Sequence, residues 1–161
     1  MHDPTKMNIF FLSHEEVKNP LVEELKKICC KKREGFSISV RYGRRVLINA
    51  KGIDFENPKN EDFVEIVDYN PANDVAMVIG IKESCEDAPI HCLIYNREEI
   101  NSIAIFRVKN KEKFKVAMDA LKKLRNKEEV EIKDFGKIIT GRTLKEVKDA
   151  CEREANEKFV V

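Results

Sequence analysis

The sequence predicts an α/β fold in which helices pack against a mostly antiparallel sheet. The chain has 161 residues, enough for one domain with its own hydrophobic core. A segment with helical spacing is followed by four short segments whose residues and turns are typical of paired strands. Later segments alternate between helical spacing and apolar runs. We therefore expect a single domain over residues 1–161, with residues 1–7 frayed.

Two helix-start signals lie near the N-terminus. Ser13 and Glu16 have the spacing of a capping box. Asn19 followed by Pro20 is a firmer signal, an N-cap and a first-turn proline. Gly35 is suited to end the helix that follows. Its predicted apolar face contains Leu21, Val22, Leu25, Ile28 and Cys29.

Seven segments are predicted to be strands: residues 36–41, 45–50, 63–67, 75–81, 100–108, 130–133 and 137–140. The first two form a hairpin around the turn at residues 42–44, and Gly52 ends it. Residues 69–74 are rich in turn formers and connect the third strand to the fourth.

Three more helices are predicted from apolar spacing. Their stripes are Ala88, His91, Cys92 and Tyr95; Phe114, Ala117, Met118, Leu121 and Leu124; and Leu144, Val147, Cys151 and Ala155. Pro89 is tolerated in the first turn of its helix, and Thr143 with Glu146 forms a capping box before the last helix.

The most buried side chains should come from these strands and helix faces. We expect them to include Cys29, Ile38, Val40, Leu47, Ile48, Val64, Ile66, Ile94, Ile103, Phe114, Leu121, Ile132, Leu144 and Val147.

The charge balance argues against nucleic-acid and membrane partners. The chain has 30 basic and 29 acidic residues, which gives a net charge of +1. It therefore lacks the excess of basic residues that is typical of nucleic-acid-binding proteins. The only basic segments that could support nucleic-acid binding are residues 31–33 and 41–45. The basic residues at 31–33 are better explained as the solvated last turn of a helix. No segment has the length of a transmembrane helix or the pattern of a signal peptide. We expect a cytoplasmic protein, and its 37% of charged residues resembles thermophile proteins.

The cysteines and histidines are too few and too scattered for a familiar site. Five cysteines include no CxxC pair and are expected to be reduced thiols and small core residues. His91, Cys92 and Cys85 could form a thiolate site, but a helix histidine packed beside the sheet is the preferred interpretation. No GxSxG motif offers a nucleophile to His91. The kinase-like tripeptide at residues 134–136 lacks every other kinase motif, so we expect a turn there.

Four segments between Gly35 and about Phe159 resemble the class II aldolase and adducin head-domain family. ISVR with LINAKG (residues 38–41 and 47–52) resembles the family's GNISVR and LITPSG hairpin. DAPIHCLIY (87–95) resembles SSEAPLHLAIY, and EINSIA (99–104) resembles the start of DVNAVVHTHS. KDFG to GRTLKE (133–146) resembles RNHGVVVVGRTLEEA.

This resemblance implies a three-layer sandwich with helices on both faces of the central sheet. It also implies the chemistry of sugar-phosphate aldolases, epimerases and dehydratases, in which three histidines hold a divalent metal that stabilises an enediolate. A glutamate acts as acid/base, and the hairpin and a serine pair hold the phosphate. Family members are commonly homo-oligomers, and adducin heads are structural.

The sequence departs from the family at almost every functional position. The three metal histidines are matched by Ile105, Arg107 and Phe135, the glutamate by Asp87, and the phosphate-binding serines by Cys85 and Glu86. Phe36-Ser37 and Asn49-Ala50-Lys51 replace the hairpin's phosphate-binding residues. The segment between residues 108 and 129 is also shorter than in the family.

Two hypotheses follow. The first is an aldolase-like domain, without zinc or another cofactor and without lyase activity, that serves as a small-ligand-binding or assembly module. The second is a metal-independent lyase or isomerase on a small phosphorylated or carboxylated sugar. In it Asp87 is the acid/base, and Arg107, aided by Lys109 or Lys51, supplies the metal's positive charge. In both, the ligand is a small anionic metabolite, and Lys51, Gly52, Cys85, Glu86 and His91 are the candidate binding residues.

Overall fold

The computed structural model describes residues 6–28, 34–125 and 127–157 of the chain. The strands are β1 (Asn8–Ser13), β2 (Phe36–Tyr42), β3 (Arg45–Asn49), β4 (Phe63–Asn70), β5 (Val75–Ile79), β6 (Ser102–Arg107), β7 (Glu129–Ile132) and β8 (Gly136–Gly141). The helices are α1 (Leu21–Ile28), α2 (Ala88–Ile94), α3 (Lys113–Lys123) and α4 (Leu144–Glu157), with one 3-10 turn at Asn60–Asp62.

The strands form one sheet in the order β1-β5-β4-β3-β2-β6-β8-β7. Every neighbouring pair is antiparallel except β1 and β5. This confirms the predicted α/β fold with its mostly antiparallel sheet.

Helices cover both faces of the sheet, which gives three layers. On one face α2 and α3 pack against side chains such as Ile48, Ile66 and Ile103. On the other, α1 and α4 pack against side chains such as Ile38 and Leu47. Both layers form because β3, β4, β6 and β8 carry buried apolar residues that point to both faces of the sheet.

The N-terminal strand is a correction to the sequence analysis. Ser13 ends β1 rather than beginning a helix, and its Oγ accepts a hydrogen bond from the Glu15 N–H (3.1 Å). Met7, expected to be frayed, packs partly against the core. Ser13 and Glu16 have the spacing of a capping box, but the uncharged segment before Ser13 forms a strand instead. The backbone groups of that segment make their hydrogen bonds with β5.

The first helix begins as predicted. The Asn19 side-chain oxygen accepts from the Leu21 N–H at 2.9 Å, as an N-cap does. Val22, Leu25 and Ile28 are buried. The predictions for Cys29 and for residues 31–33 lie outside the described residues.

The predicted faces of α3 and α4 need correction. Phe114, Leu121 and Leu144 are only half-buried, and Met118 is exposed. On α3 the buried side chains are Val116, Ala117 and Ala120, followed by Leu124. Small residues face inward because α3 contacts α2 and β7 closely, which leaves larger side chains for the margins. The other core residues predicted from β2, β3, β4, α2, β6, β7 and α4 are buried.

Strand bounds shift by a few residues elsewhere. β4 continues to Asn70, into the predicted connector, and β5 ends at Ile79. β6 begins at Ser102 and ends at Arg107, leaving Val108 exposed. Within the described ranges, none of the helices has the length and apolar character needed to cross a bilayer.

Candidate functional site: a cleft at the ends of β2, β3 and β6

Most of the predicted site residues line one cleft. Its volume is about 660 Å³, within the range of small-molecule sites. Its walls come from the start of β2, the segment after β3, the start of α2 and the end of β6. The lining residues are 34–37, 49–56, 85–87 and 107. Lys51, Gly52, Cys85, Glu86, Asp87 and Arg107 therefore share the cleft, whereas His91 lies in the core behind it.

Two glycines fix the backbone beside Arg107. Gly35 (φ +75°) accepts the Arg107 N–H at 2.9 Å, and a Cβ there would lie 2.1 Å from the Arg107 carbonyl oxygen. Gly136 (φ +153°) pairs with Arg107 across β6 and β8 and leaves no room for a Cβ beside the Phe106 oxygen. Because only glycine fits at both positions, the backbone that carries Arg107 is closely held.

The Arg107 guanidinium is surrounded by acceptors. Its Nε donates to Asp87 Oδ2 at 3.1 Å, Nη2 lies 3.4 Å from Glu86 Oε2, and Nη1 donates to Asn110 Oδ1. The side chain is 20% exposed, so part of it remains accessible from the cleft. A guanidinium held this way can present N–H groups to a carboxylate or phosphate.

Asp87 is the most buried charged group of the cleft, with 8% of its side chain exposed. Burial raises the pKa of its carboxyl above the ordinary value, the Arg107 guanidinium opposes this, and the Glu86 carboxylate adds to it. The carboxyl can therefore hold a proton more readily than a surface aspartate.

Glu86 bridges two cations at the mouth of the cleft. Besides Arg107, its carboxylate lies 4.0 Å from Lys51 Nζ, and both side chains are about half exposed. Such a contact is weak. An incoming anion would compete with Glu86 for the same cations.

Cys85 and Cys92 do not form a thiolate site. Burial raises the pKa of the Cys85 thiol, and it raises the pKa of the Cys92 thiol to about 12. Both stay protonated, and metals bind the thiolate. Within the described ranges no group of three or more His, Cys, Asp and Glu side chains could hold a metal ion.

The side chains that the resemblance matches to the family's metal histidines do not fit a divalent metal. Ile105 and Phe135 are buried apolar side chains, and Arg107 is a cation. None of the three offers a lone pair to a metal. The residues present therefore do not reproduce the three-histidine site.

His91 is buried in a polar chain that the sequence analysis missed. Its Nε2 lies 2.7 Å from Ser37 Oγ and its Nδ1 lies 2.7 Å from Ser39 Oγ. Ser39 Oγ is also 2.7 Å from the Tyr95 hydroxyl. Burial lowers the pKa of His91 to about 3. The alternation FSISV suggests only that one strand face is polar, but the helical spacing of His91 and Tyr95 could have indicated a polar partner for it.

A second cavity of about 490 Å³ lies at the other end of α2. Arg41 stands in its wall, but its guanidinium is engaged by the backbone carbonyls of Tyr95, Arg97, Glu98 and Ile100. This arginine holds the end of α2 in place.

Comparisons with known proteins agree with the fold. The family model of the class II aldolase and adducin N-terminal domain matches residues 35–106. An L-fuculose 1-phosphate aldolase superposes with a TM-score of 0.71 at 15% identity, over 89% of this chain and 86% of that one. YgbL of Escherichia coli gives 0.68 at 11% identity (87% and 87%). A sugar-phosphate aldolase from Thermotoga maritima gives 0.64 at 12% (85% and 92%). No curated protein sequence matches the chain. At these identities the structural matches show the fold, and together with the family model they confirm the predicted resemblance.

Proposed function

Because residues 35–106 match the family model of the class II aldolase and adducin N-terminal domain, we propose that this protein binds a small anionic metabolite in the cleft. We further propose that it does so without the family's metal-dependent lyase reaction. One observation carries the proposal. At a position that the resemblance matches to a metal-binding histidine of the family, this chain has Arg107, which is paired with Asp87 and lines the cleft.

Two cations in the cleft wall, Arg107 and Lys51, are the groups that an anionic ligand would meet. Glu86 contacts both of them while the cleft is free, and the acidic residues Glu34, Asp54, Glu56 and Asp87 also line it. Glu86 is half exposed, so a carboxylate or phosphate can displace it by a side-chain rotation. Its negative charge then opposes the bound anion.

Thermal unfolding with added anions tests this proposal. Sodium phosphate, glycolate and glycerol phosphate should each be titrated, because a ligand that binds the folded state raises the melting temperature. We expect saturable stabilisation by at least one, lost in Arg107→Ala and stronger in Glu86→Gln. Arg153→Ala is the control, since it removes an exposed cation on α4. Flat titrations in all four proteins would contradict anion binding.

Metal-independent catalysis is a second candidate function. The buried Asp87 carboxyl, with its raised pKa, has the character of a general acid or base. Arg107 beside it could stabilise an enolate or carboxylate. Exchange of a substrate's α-carbon proton with deuterated water, followed by NMR on small sugar phosphates, tests this function. We expect Asp87→Asn to abolish any exchange that the wild type shows, and no exchange from the wild type would contradict the function.

An assembly role is favoured by a different feature, the edge strand β1. Within the described residues β1 pairs only with β5, and Phe10 and Leu12 are exposed beside Met77. Edge strands normally carry charges that discourage pairing, but β1 is uncharged. We propose that a second copy of this chain pairs with it.

The apolar pattern of β1 suits an antiparallel pair of β1 strands. A two-fold axis at Phe11 would set Phe10 of one copy opposite Leu12 of the other.

A further inference from the structure

A chain of buried polar side chains joins the cleft to the second cavity, at the other end of α2. Ser37 lines the cleft, and Tyr95 lines the second cavity. Ser39 and His91 lie between them, and each of the three contacts along the chain measures 2.7 Å. Ser39 and His91 are fully buried, and Ser37 and Tyr95 are 2% and 6% exposed. The walls of the two cavities are therefore linked through the core by hydrogen bonds.

The chain can run in either of two directions. Each hydroxyl can donate or accept, and burial lowers the pKa of His91 to about 3, so its imidazole is neutral, with one N–H and one lone pair. In the first direction Tyr95 donates to Ser39, and Ser39 donates to His91 Nδ1. His91 Nε2–H then donates to Ser37. In the second direction all three hydrogen bonds are reversed. The proton without an acceptor among the described residues is that of Ser37 in the first direction and that of Tyr95 in the second.

The three hydrogen bonds must reverse together. A partial reversal would point two protons, or two lone pairs, at each other inside the core, and an unpaired buried group is unfavourable. Full reversal from the first direction to the second moves each inner proton one place towards the cleft. Tyr95 takes up a proton from solvent on the side of the second cavity, and Ser37 releases one to solvent in the cleft. The charge of the protein is therefore the same in both directions.

The second cavity has the lining of a site for an uncharged molecule. Its volume is about 490 Å³, which is within the range of small-molecule sites. The charged residues Arg44, Asp68 and Glu98 in its wall are exposed, so they remain solvated. The buried and half-buried side chains of the wall are mostly apolar or aromatic: Val46, Ile66, Tyr69, Cys92, Leu93 and Tyr95.

Arg41, the other charged residue in the described part of this wall, is already engaged. Its guanidinium donates to four backbone carbonyls at and after the end of α2, and it lies 5.1 Å from the centre of the Tyr95 ring. These contacts hold Tyr95 in place. Burial raises the pKa of the Tyr95 hydroxyl, the hydrogen bond with Ser39 opposes this, and the Cys92 thiol adds to it. Since Cys92 also lines the cavity, the hydroxyl end of Tyr95 lies near the cavity wall.

We propose that the second cavity binds a small uncharged molecule, made of an apolar or aromatic body and one hydrogen-bonding group, and that this molecule regulates the cleft. A group that accepts from Tyr95 favours the second direction, and a group that donates to Tyr95 favours the first. The direction decides whether Ser37 presents a proton or a lone pair to the cleft. Regulation of the cleft rests on the proposed function, whereas binding in the second cavity does not.

NMR of the ¹⁵N-labelled full-length protein reads the direction from the tautomer of His91. Acetophenone only accepts hydrogen bonds, so it should increase the Nδ1–H form, whereas phenol is a strong donor and should increase the Nε2–H form. Tyr95→Phe keeps the ring and removes the hydroxyl, so neither probe should change its tautomer. Tyr69→Phe is the matched control, because Tyr69 lines the same cavity but its hydroxyl donates to Asp74 (2.8 Å). It should respond as the wild type does, and the same tautomer with both probes in the wild type would overturn the link.

Titration of the chemical shifts measures binding in the second cavity itself. We expect both probes to bind saturably and to shift the resonances of Cys92 and Leu93. Leu93 is half-buried, so Leu93→Trp can fill the cavity without entering the core, and it should weaken both probes roughly tenfold. Met118→Trp, at an exposed position on α3, is the control. Shifts that do not saturate, or that spread away from this cavity, would overturn the second site.

Phosphate binding measured with and without each probe tests the regulation. A saturating probe should change the phosphate affinity of the cleft about two- to tenfold, the equivalent of one hydrogen bond, and phosphate should change the affinity of the probe by the same factor. Tyr95→Phe should remove this coupling. If phosphate does not bind the free protein, the proposed function fails, while the titrations still decide whether the second cavity is a site. If phosphate binds equally well with and without the probes, the regulation is wrong.

Discussion

Arg107 Nε donates to Asp87 Oδ2 at 3.1 Å, which joins the end of β6 to the start of α2. Asp87 is almost completely buried, and Arg107 keeps a fifth of its side chain exposed. The two residues are therefore unequal partners. Loss of the arginine leaves a buried carboxylate, whereas loss of both leaves no buried charge in the pair.

The pair predicts an asymmetric double-mutant cycle. Arg107→Met should lower the free energy of unfolding by about 1–3 kcal/mol, because it strands Asp87. The double variant Arg107→Met with Asp87→Val should be less destabilised than Arg107→Met alone. Urea unfolding of the four proteins measures this. A double variant at least as unstable as Arg107→Met would mean that the ion pair itself stabilises the fold.

His91 predicts a loss of stability in acid. Its pKa is about 3 in the folded protein against 6.5 as its ordinary value, so the unfolded chain takes up the proton first. Stability from this group is complete above about pH 6.5 and falls as the pH drops towards 3. The loss is up to about 1.4 kcal/mol for each pH unit. His91→Gln should flatten the acid limb of unfolding free energy against pH. His14→Gln, at an exposed histidine, should not, and an equal slope in all three proteins would exclude His91 as the cause.

Leu47 predicts a large packing effect. It is fully buried against α1 and α4, so Leu47→Ala should cost about 2–5 kcal/mol of unfolding free energy. Met118→Ala, at an exposed position on α3, should cost less than about 0.5 kcal/mol. Denaturant unfolding compares them, and equal small effects would show that this face of the hairpin is not packed.

The edge of β1 predicts self-association. Sedimentation of the wild type should show a dimer or a larger assembly, and Phe10→Lys should shift it to the monomer. Val108→Lys is the matched control, because it replaces an exposed apolar residue away from β1. A monomeric wild type, or a Phe10→Lys variant that still associates, would contradict pairing through this edge.

The donor set predicts no stoichiometric zinc. Purified protein should contain far less than one zinc ion per chain, and EDTA should leave its melting temperature unchanged. A bound structural or catalytic metal would stabilise the folded state. Elemental analysis that finds about one zinc per chain would overturn the proposed metal-free cleft.

Much of the fold follows from local signals that the tertiary structure leaves intact. Asn19 and Pro20 precede α1 as predicted, and the predicted turn is observed at Gly43 and Arg44, between β2 and β3. β1 was missed because Ser13 and Glu16 have the spacing of a cap, and a strand can use the same serine in a turn. Nothing within residues 8–13 indicates that their partner is β5.

The residues of the candidate site were predictable in part, because the resemblance rests on short local motifs. The resemblance named six residues that share the cleft, because the family's motifs fix which strand ends meet there. The interpretation of His91 as a helix histidine packed beside the sheet is confirmed, but its contacts with Ser37 and Ser39 were not predicted. The burial of Ser37 and Ser39 depends on a contact between β2 and α2. The sequence of β2 shows only the serines and the sequence of α2 shows only the histidine, so neither segment alone predicts the contact.

The parallel pairing of β1 with β5 has a consequence for the order of folding. The antiparallel partners β2 and β3 adjoin in sequence, as do β4 and β5, whereas Asn8 must wait for Val75 before it has a partner. Closing so long a loop is slow, and contacts of this kind form late. On a ribosome, β1 emerges before its partner β5 and is therefore incorporated into the sheet late. Until the β5 segment has been synthesised, the uncharged apolar sequence of β1 has no strand partner and can be bound by chaperones.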